Sequence, residues 1–139
     1  MEIFIVNTRT FGDYLNNPHH HDLMLANECF ATANADQNKI DHPKTGDVVA
    51  LYANNLGIIA FGFATDKTAF LDDERVGKHP TRIRKLSDFK LLAYPIHHSE
   101  YETSNTQTLQ SVKQGKEDLW ELLNDRAVPS PILSLFANS

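Results

Sequence analysis

Residues 46–65 read GDVVALYANNLGIIAFGFAT, and this stretch decides the fold class. Val48 to Ala53 is a short apolar run with β-branched and aromatic members. Asn54 and Asn55, followed at once by Gly57, are turn chemistry, because Asn and Gly tolerate positive φ. Ile58 to Thr65 is a second apolar run, so the stretch predicts a β-hairpin. Both runs are nearly continuous in apolar residues rather than alternating, as strands covered on two sides are. Gly62 interrupts the second strand, where glycine marks a bulge, a barrel corner or a close backbone approach. A small, strongly curved or closed sheet follows from these features.

The whole chain bounds what that sheet belongs to. With 139 residues and 41% hydrophobic content, a single domain spanning 1–139 with one core is expected. The single cysteine, Cys29, cannot form an internal disulfide, which suits a reducing cytoplasm and a buried free thiol. Residues 1–7 are too short for a signal peptide, and no apolar run approaches membrane-spanning length. The formal charge of −5 argues against a protein held on nucleic acid by bulk electrostatics alone. Charge is unevenly spread, however: six of the thirteen Lys and Arg residues fall between Arg75 and Lys90.

Outward from the hairpin, Glu2 to Thr8 reads as a strand ending in the polar Asn7, Thr8 and Arg9. Phe11 to Asn17 has the makings of one helical turn, stopped by Asn16-Asn17-Pro18. The run His19-His20-His21 reads as a solvated approach to a helix; three adjacent histidines cannot converge on one ion along a regular backbone, so no metal is expected. Asp22 is a suitable N-cap for a helix over Leu23 to Phe30, with Leu23, Ala26 and Phe30 on one face. Ala33 to Thr45 reads as a polar loop, and Asp66 to Pro80 as a long polar connection. Phe89 to Ile96 is a predicted strand. Helices are expected from about residue 104, over Ser104 to Gln114 with Leu109 and Val112 inward, and over Lys116 to Asp125 with Leu119, Leu122 and Leu123 inward. Trp120 is expected to pack. Pro131 to Phe136 is a last apolar element.

Catalytic motifs are missing from the sequence: no nucleophile elbow, phosphate-cradling glycine loop, paired cysteines or HExxH-type metal motif. No cofactor is expected. His97, His98 and Glu100 are the residues that a small hydrolase would use for acid–base chemistry. A binding role draws on more of the chain. Asn7 and Thr8 at a strand mouth, Phe30 and Thr32 after a helix, and Tyr52 on the hairpin can line an aromatic-walled pocket. Aromatic faces stack on a base while Asn and Thr meet its hydrogen-bonding edge. The basic Arg75–Lys90 region would hold phosphates beside it.

The layout resembles the EVE and YTH domains of the PUA-like superfamily. The resemblance rests on FIVNTR at 4–9, CFAT at 29–32, the hairpin at 46–65, HPTRIRKLSDFKLLAYPI at 79–96 and TLQSVKQGKEDLWELL at 108–123. The last segment is similar to the helical tail of EVE domains associated with McrBC-type modification-dependent restriction systems. What the resemblance implies is an α+β, PUA-like small curved mixed β-barrel flanked by helices. It implies a non-catalytic module that takes one modified, methylated base, flipped from DNA, into an aromatic cage. Carried over by position, the base pocket comprises Asn7, Thr8, Phe30, Ala31, Thr32, Tyr52, Asn54 and Phe70. Phe30 stands where a cage Trp is common, and Phe70 is assigned as the second cage aromatic. Phosphate contacts fall to Arg9, Lys78, Arg82, Arg84 and Lys85. The implied setting is cytoplasmic, as the specificity domain of a restriction or defence system beside a nuclease or AAA+ motor subunit. RNA binding of the PUA or ASCH type is the alternative the same resemblance carries.

Overall fold

The computed structural model describes residues 1–8, 20–54, 56–71, 81–101 and 109–128. In chain order these form β1 (Ile3–Asn7), α1 (His20–Asn27), β2 (Cys29–Ala33), a 3-10 segment (Asn34–Asp41), β3 (Val48–Ala53), β4 (Gly57–Leu71) and β5 (Thr81–Ile96). A short 3-10 turn (His98–Glu100), β6 (Leu109–Ser111), α2 (Lys116–Arg126) and β7 (Ala127–Val128) complete them. Six strands lie side by side in the order β2-β5-β4-β3-β1-β6, with β7 paired on β5. The sheet is mixed and curls into a half-barrel.

The predicted hairpin is its centre. β3 and β4 pair antiparallel from Val48↔Phe63 to Ala53↔Gly57. Gly57 has φ +118°, and a Cβ there would meet the Ile96 carbonyl oxygen at 2.2 Å, so the turn requires glycine. β1 lies parallel to β3, Ile3↔Val48 to Asn7↔Tyr52. Parallel neighbours need a long crossover, and α1, β2 and the 3-10 segment fill it. The curl comes from breaks in the β4–β5 ladder, which shifts register between Ile58 and Ala60, Phe61 and Phe63, and Ala64 and Thr68. At the middle break Gly62 faces two β5 residues, Asp88 and Phe89, and Asp88 takes φ 48°. A Cβ on Gly62 would come within 2.8 Å of the Leu86 Cβ. The glycine marks both a bulge and a close approach, and bulges of this kind bend a strand.

Successive β1 side chains alternate between two cores. Ile3 and Ile5 join Val48, Ala50, Tyr52, Phe61 and, from α2, Leu119 and Leu123. Phe4 and Val6 join Val49, Leu51, Phe30, Leu86, Ile40 and, from α1, Met24. The hairpin's apolar continuity therefore reflects two covered faces. Trp120 packs edge-on to Phe61 and Phe63, with ring centroids 6.1 and 6.0 Å away. Gly46 and Asp47 also have a structural task. The buried Asp47 carboxylate accepts the Glu2 and Lys44 amides at 3.0 and 2.8 Å, fixing the turn into β3.

Several expectations are corrected. α1 begins at His20, so Asp22 lies in its first turn rather than at its N-cap. It ends at Asn27 because Glu28 turns left-handed, φ 50°, and the chain re-emerges as β2. Phe30 is therefore a strand residue, not part of a helical face. The polar stretch expected to be a loop from Ala33 holds the 3-10 segment. The expected connection from Asp66 is strand as far as Leu71, and the strand expected over Phe89 to Ile96 begins earlier, at Thr81. Leu109 and Val112 are buried as expected, but Leu109–Ser111 is a strand on β1, not a helix. The expected turn at Phe11–Asn17 and the element at Pro131–Phe136 lie outside the described residues.

Candidate functional site

Parallel strands end on the same side, so the residues that leave β1 and β3 collect at one rim. Asn7 is paired with Tyr52, and its Nδ2 donates to Asn54 Oδ1 at 3.0 Å. The next residue, Thr8, is fully buried. Its amide and its hydroxyl both donate to the Tyr52 carbonyl, at 2.9 and 3.2 Å. The same hydroxyl lies 2.9 Å from His21 Nδ1. A hydroxyl has one proton; with that proton on Tyr52 O, His21 Nδ1 is the donor. Five residues from β1, α1 and the end of β3 thus converge: Asn7, Thr8, His21, Tyr52 and Asn54. The β3–β4 register shift falls between Leu51 and Tyr52, so a bulge sits beside the rim, where bulges commonly re-aim side chains. The rim gathers amide, hydroxyl and imidazole groups.

The other residues of the expected base pocket stand elsewhere. Phe30 is 0% exposed, inside the core with Met24 and Leu86; Ala31 is buried beside it. Thr32 is buried on β2. Phe70 is 67% exposed near the end of β4, where the Arg82 guanidinium lies over its ring at 5.4 Å. A cage built from Phe30 and Phe70 is not assembled, because one ring is interior and the other sits on the outer wing of the sheet.

Of the expected phosphate contacts Arg84 is turned inward, while Arg82 and Lys85 bond to other groups of the chain at the surface. Arg84, 6% exposed, donates to the Thr65 carbonyl at 2.6 Å, to the Ile40 carbonyl at 3.0 Å and to the Pro43 carbonyl. Burial pulls its pKa below the usual arginine value, opposed by Asp41, Asp47 and Asp66. Arg82 grips Asp41 through two bonds of 2.7 and 3.1 Å. Lys85 donates to the Asn27 carbonyl at 2.9 Å. Arg9 and Lys78 lie outside the described residues. The Cys29 thiol is buried, and burial pushes its pKa up to about 11, making it a poor nucleophile.

His97, His98 and Glu100 form a helix cap rather than a triad. His97 Nδ1 accepts the Ser99 amide at 3.2 Å, and Glu100 accepts the His97 amide at 3.0 Å. Glu100 also pairs with Arg126, whose hydrogen bond holds the carboxyl below the usual carboxylate range. Such a group is a weak general base. Among the described residues no three His, Cys, Asp or Glu side chains cluster as a metal site would need, and no helix is long and apolar enough to cross a membrane.

His21 is the rim residue that sequence reasoning missed. It is thirteen positions from Thr8, and only the crossover of α1 beneath the strand ends joins them; its place in a histidine run carried no such signal. Comparison with protein-family models and with curated proteins gives no match to this chain.

Proposed function

We propose that this chain is a PUA-like domain of the EVE/YTH kind that holds a modified nucleic-acid base, flipped from DNA, at the rim where β1 and β3 end. Its role in this reading is the specificity module of a defence or restriction system. One observation carries the reading: amide, hydroxyl and imidazole groups from three elements converge at that rim. Neutral amides and hydroxyls suit the edge of a base, which carries donors and acceptors but no charge. The curled mixed sheet is compatible with a PUA-like barrel; a flat sheet between helical layers would argue against it, and here α1 and α2 do cover opposite faces. The cage is redrawn in consequence. Phe30 and Phe70 leave the pocket, and Tyr52, whose ring packs in the core that α2 covers, contributes its backbone carbonyl at the rim.

The test is a binding panel of otherwise identical DNA and RNA oligonucleotides, unmodified or carrying N6-methyladenine, 5-methylcytosine or 5-hydroxymethylcytosine. One modified DNA should bind at least about ten-fold more tightly than its unmodified parent, equal to about 1.4 kcal/mol. Preference for RNA would move the reading to the RNA-binding members of the class. Equal affinity across the panel would remove base recognition.

A further inference from the structure

One row of paired residues crosses four neighbouring strands at the rim: Asn7 with Tyr52, Tyr52 with Ile58, and Ile58 with Ile96. The β3–β4 turn therefore stands at the same end of the sheet as Thr8, and Leu56 belongs to that turn. A lone exposed leucine is ordinary on a protein surface; the placement of this one is not. Four large apolar side chains are exposed among the described residues: Met1, Leu56, Phe70 and Tyr94. Phe70 and Tyr94 lie under the guanidinium groups of Arg82 and Arg126, at 5.4 and 4.3 Å. Met1 precedes β1, at the opposite end of that strand from Thr8. Leu56, 49% exposed, is the one at the rim.

The turn that carries Leu56 is pinned on both sides. The Leu56 amide donates to the Ala53 carbonyl at 3.1 Å. The next residue, Gly57, lies so close to β5 that a Cβ would meet the Ile96 carbonyl oxygen at 2.2 Å and the His97 Cα at 3.1 Å. Before the turn, Asn54 Oδ1 accepts from Asn7 Nδ2 at 3.0 Å. A side chain on a fixed backbone can press into a partner without first giving up loop freedom. Two residues of chain span at most about 7 Å, so the Leu56 Cα lies within that distance of Asn54. Past the row, the exposed His97 and His98 rings stack with centroids 4.1 Å apart. The Glu100 carboxylate beside them is held by Arg126, which blunts its repulsion of phosphates.

A base drawn out of a duplex leaves its former neighbours unstacked, and proteins that open base steps insert an apolar side chain, leucine among them, between the bases. The base stays tied to its sugar, so the inserted group must stand within a nucleotide's reach of whatever holds the base. We infer that Leu56 is such a wedge, entering the DNA stack in place of the base held at the rim; this rests on the function proposed above.

The test compares the parent with Leu56→Ala, Leu56→Met and, as a control on the wing, Phe70→Ala. The probes are DNA duplexes carrying N6-methyladenine, 5-methylcytosine or 5-hydroxymethylcytosine, their unmodified parents, the same modified strands without a complement, and the same duplexes mismatched opposite the modified base. Leu56→Ala should melt like the parent yet bind the preferred modified duplex about ten-fold more weakly. The loss should be smaller on the mismatched duplex, whose base leaves the stack more readily. It should vanish on the single strand, which has no gap to fill. Leu56→Met keeps an apolar wedge and should stay within about two-fold of the parent, and Phe70→Ala should match it. Equal losses on duplex and single strand would make Leu56 a contact of the base pocket and overturn the wedge. Parental affinity of Leu56→Ala for every probe would overturn it too, as would a parent that binds the modified single strand but no duplex; base recognition stands in all three cases. A parent that prefers no modified probe overturns base recognition and the wedge together.

Discussion

The β2–β5–β4 wing and the rim at the ends of β1 and β3 both set polar side chains into the sheet, and they use them in opposite ways. In the wing the groups are charged and closed upon the chain itself. Arg84 bridges three backbone carbonyls, Arg82 holds Asp41, and Phe70 lies under Arg82. At the rim the groups are amides, a hydroxyl and an imidazole, come from three separate elements, and include the half-buried His21 and Asn54. The wing is dense in Arg and Lys along the sequence, whereas the rim is not. Density of charge in a sequence thus need not mean cations turned to solvent. A buried cation that satisfies backbone carbonyls is holding the fold, because leaving those carbonyls without a donor would be costly.

The strongest way to break this contrast is at Phe30. If it belongs to the wing's interior, Phe30→Ala should cost roughly 3–5 kcal/mol of stability. That should lower the melting temperature by on the order of 10 °C. A stable Phe30→Ala protein with altered binding would return Phe30 to the site. Next is Arg84→Met, which keeps the bulk and removes the donors. It strands carbonyls of Thr65, Ile40 and Pro43, and about 2–3 kcal/mol of destabilisation is expected in denaturant unfolding. A loss below about 0.5 kcal/mol would mean the guanidinium is dispensable to the wing.

The rim should respond differently. Asn54→Ala removes the hydrogen bond with Asn7 from a half-buried side chain and should cost about 1 kcal/mol of stability. Its effect should appear in discrimination among bases instead. Destabilisation as large as that of Arg84→Met would make the rim another structural network and end the comparison.

The smallest effect is in acid. Arg126 beside Glu100 and Arg82 beside Asp41 hold both carboxyls below their usual range. A carboxyl whose folded pKa is depressed stabilises the fold above its unfolded pKa and loses that contribution as pH falls through the folded value. Both carboxylates are solvated, so each pair is worth a few tenths to about 1 kcal/mol. Urea unfolding between pH 6 and 3 should therefore show a shallow decline, reduced by Glu100→Gln.

Much of the sheet's centre was legible in the sequence. The Asn-Asn-x-Gly turn, the two apolar runs and Gly62 predict a curved hairpin, and the structure has it, with β1 alongside. Asn7, Thr8, Tyr52 and Asn54 do meet. What was not legible depended on backbone states and long crossovers. Glu28 takes a left-handed conformation that glycine or asparagine usually marks, so the helix seemed to run on through Phe30 and misplaced that ring. Leu109 and Val112 are inward in either a helix or a strand, and three residues carry too little periodicity to decide. His21 stands thirteen positions from Thr8, and only the crossover brings the two together.

Cys29 gives this fold a built-in clock. Its thiol is buried at the start of β2, an outer strand held along one side by β5. With its pKa near 11, only about one molecule in a thousand carries a thiolate at pH 8, and the thiolate is the reactive form. Alkylation of the folded protein should therefore wait for the start of β2 and the α1 turn against it to open and expose the sulfur to water. As the sole cysteine of the chain, it reports that single event without engineering. The rate of label uptake, measured against urea or against added ligand, would read the opening equilibrium of one sheet edge directly.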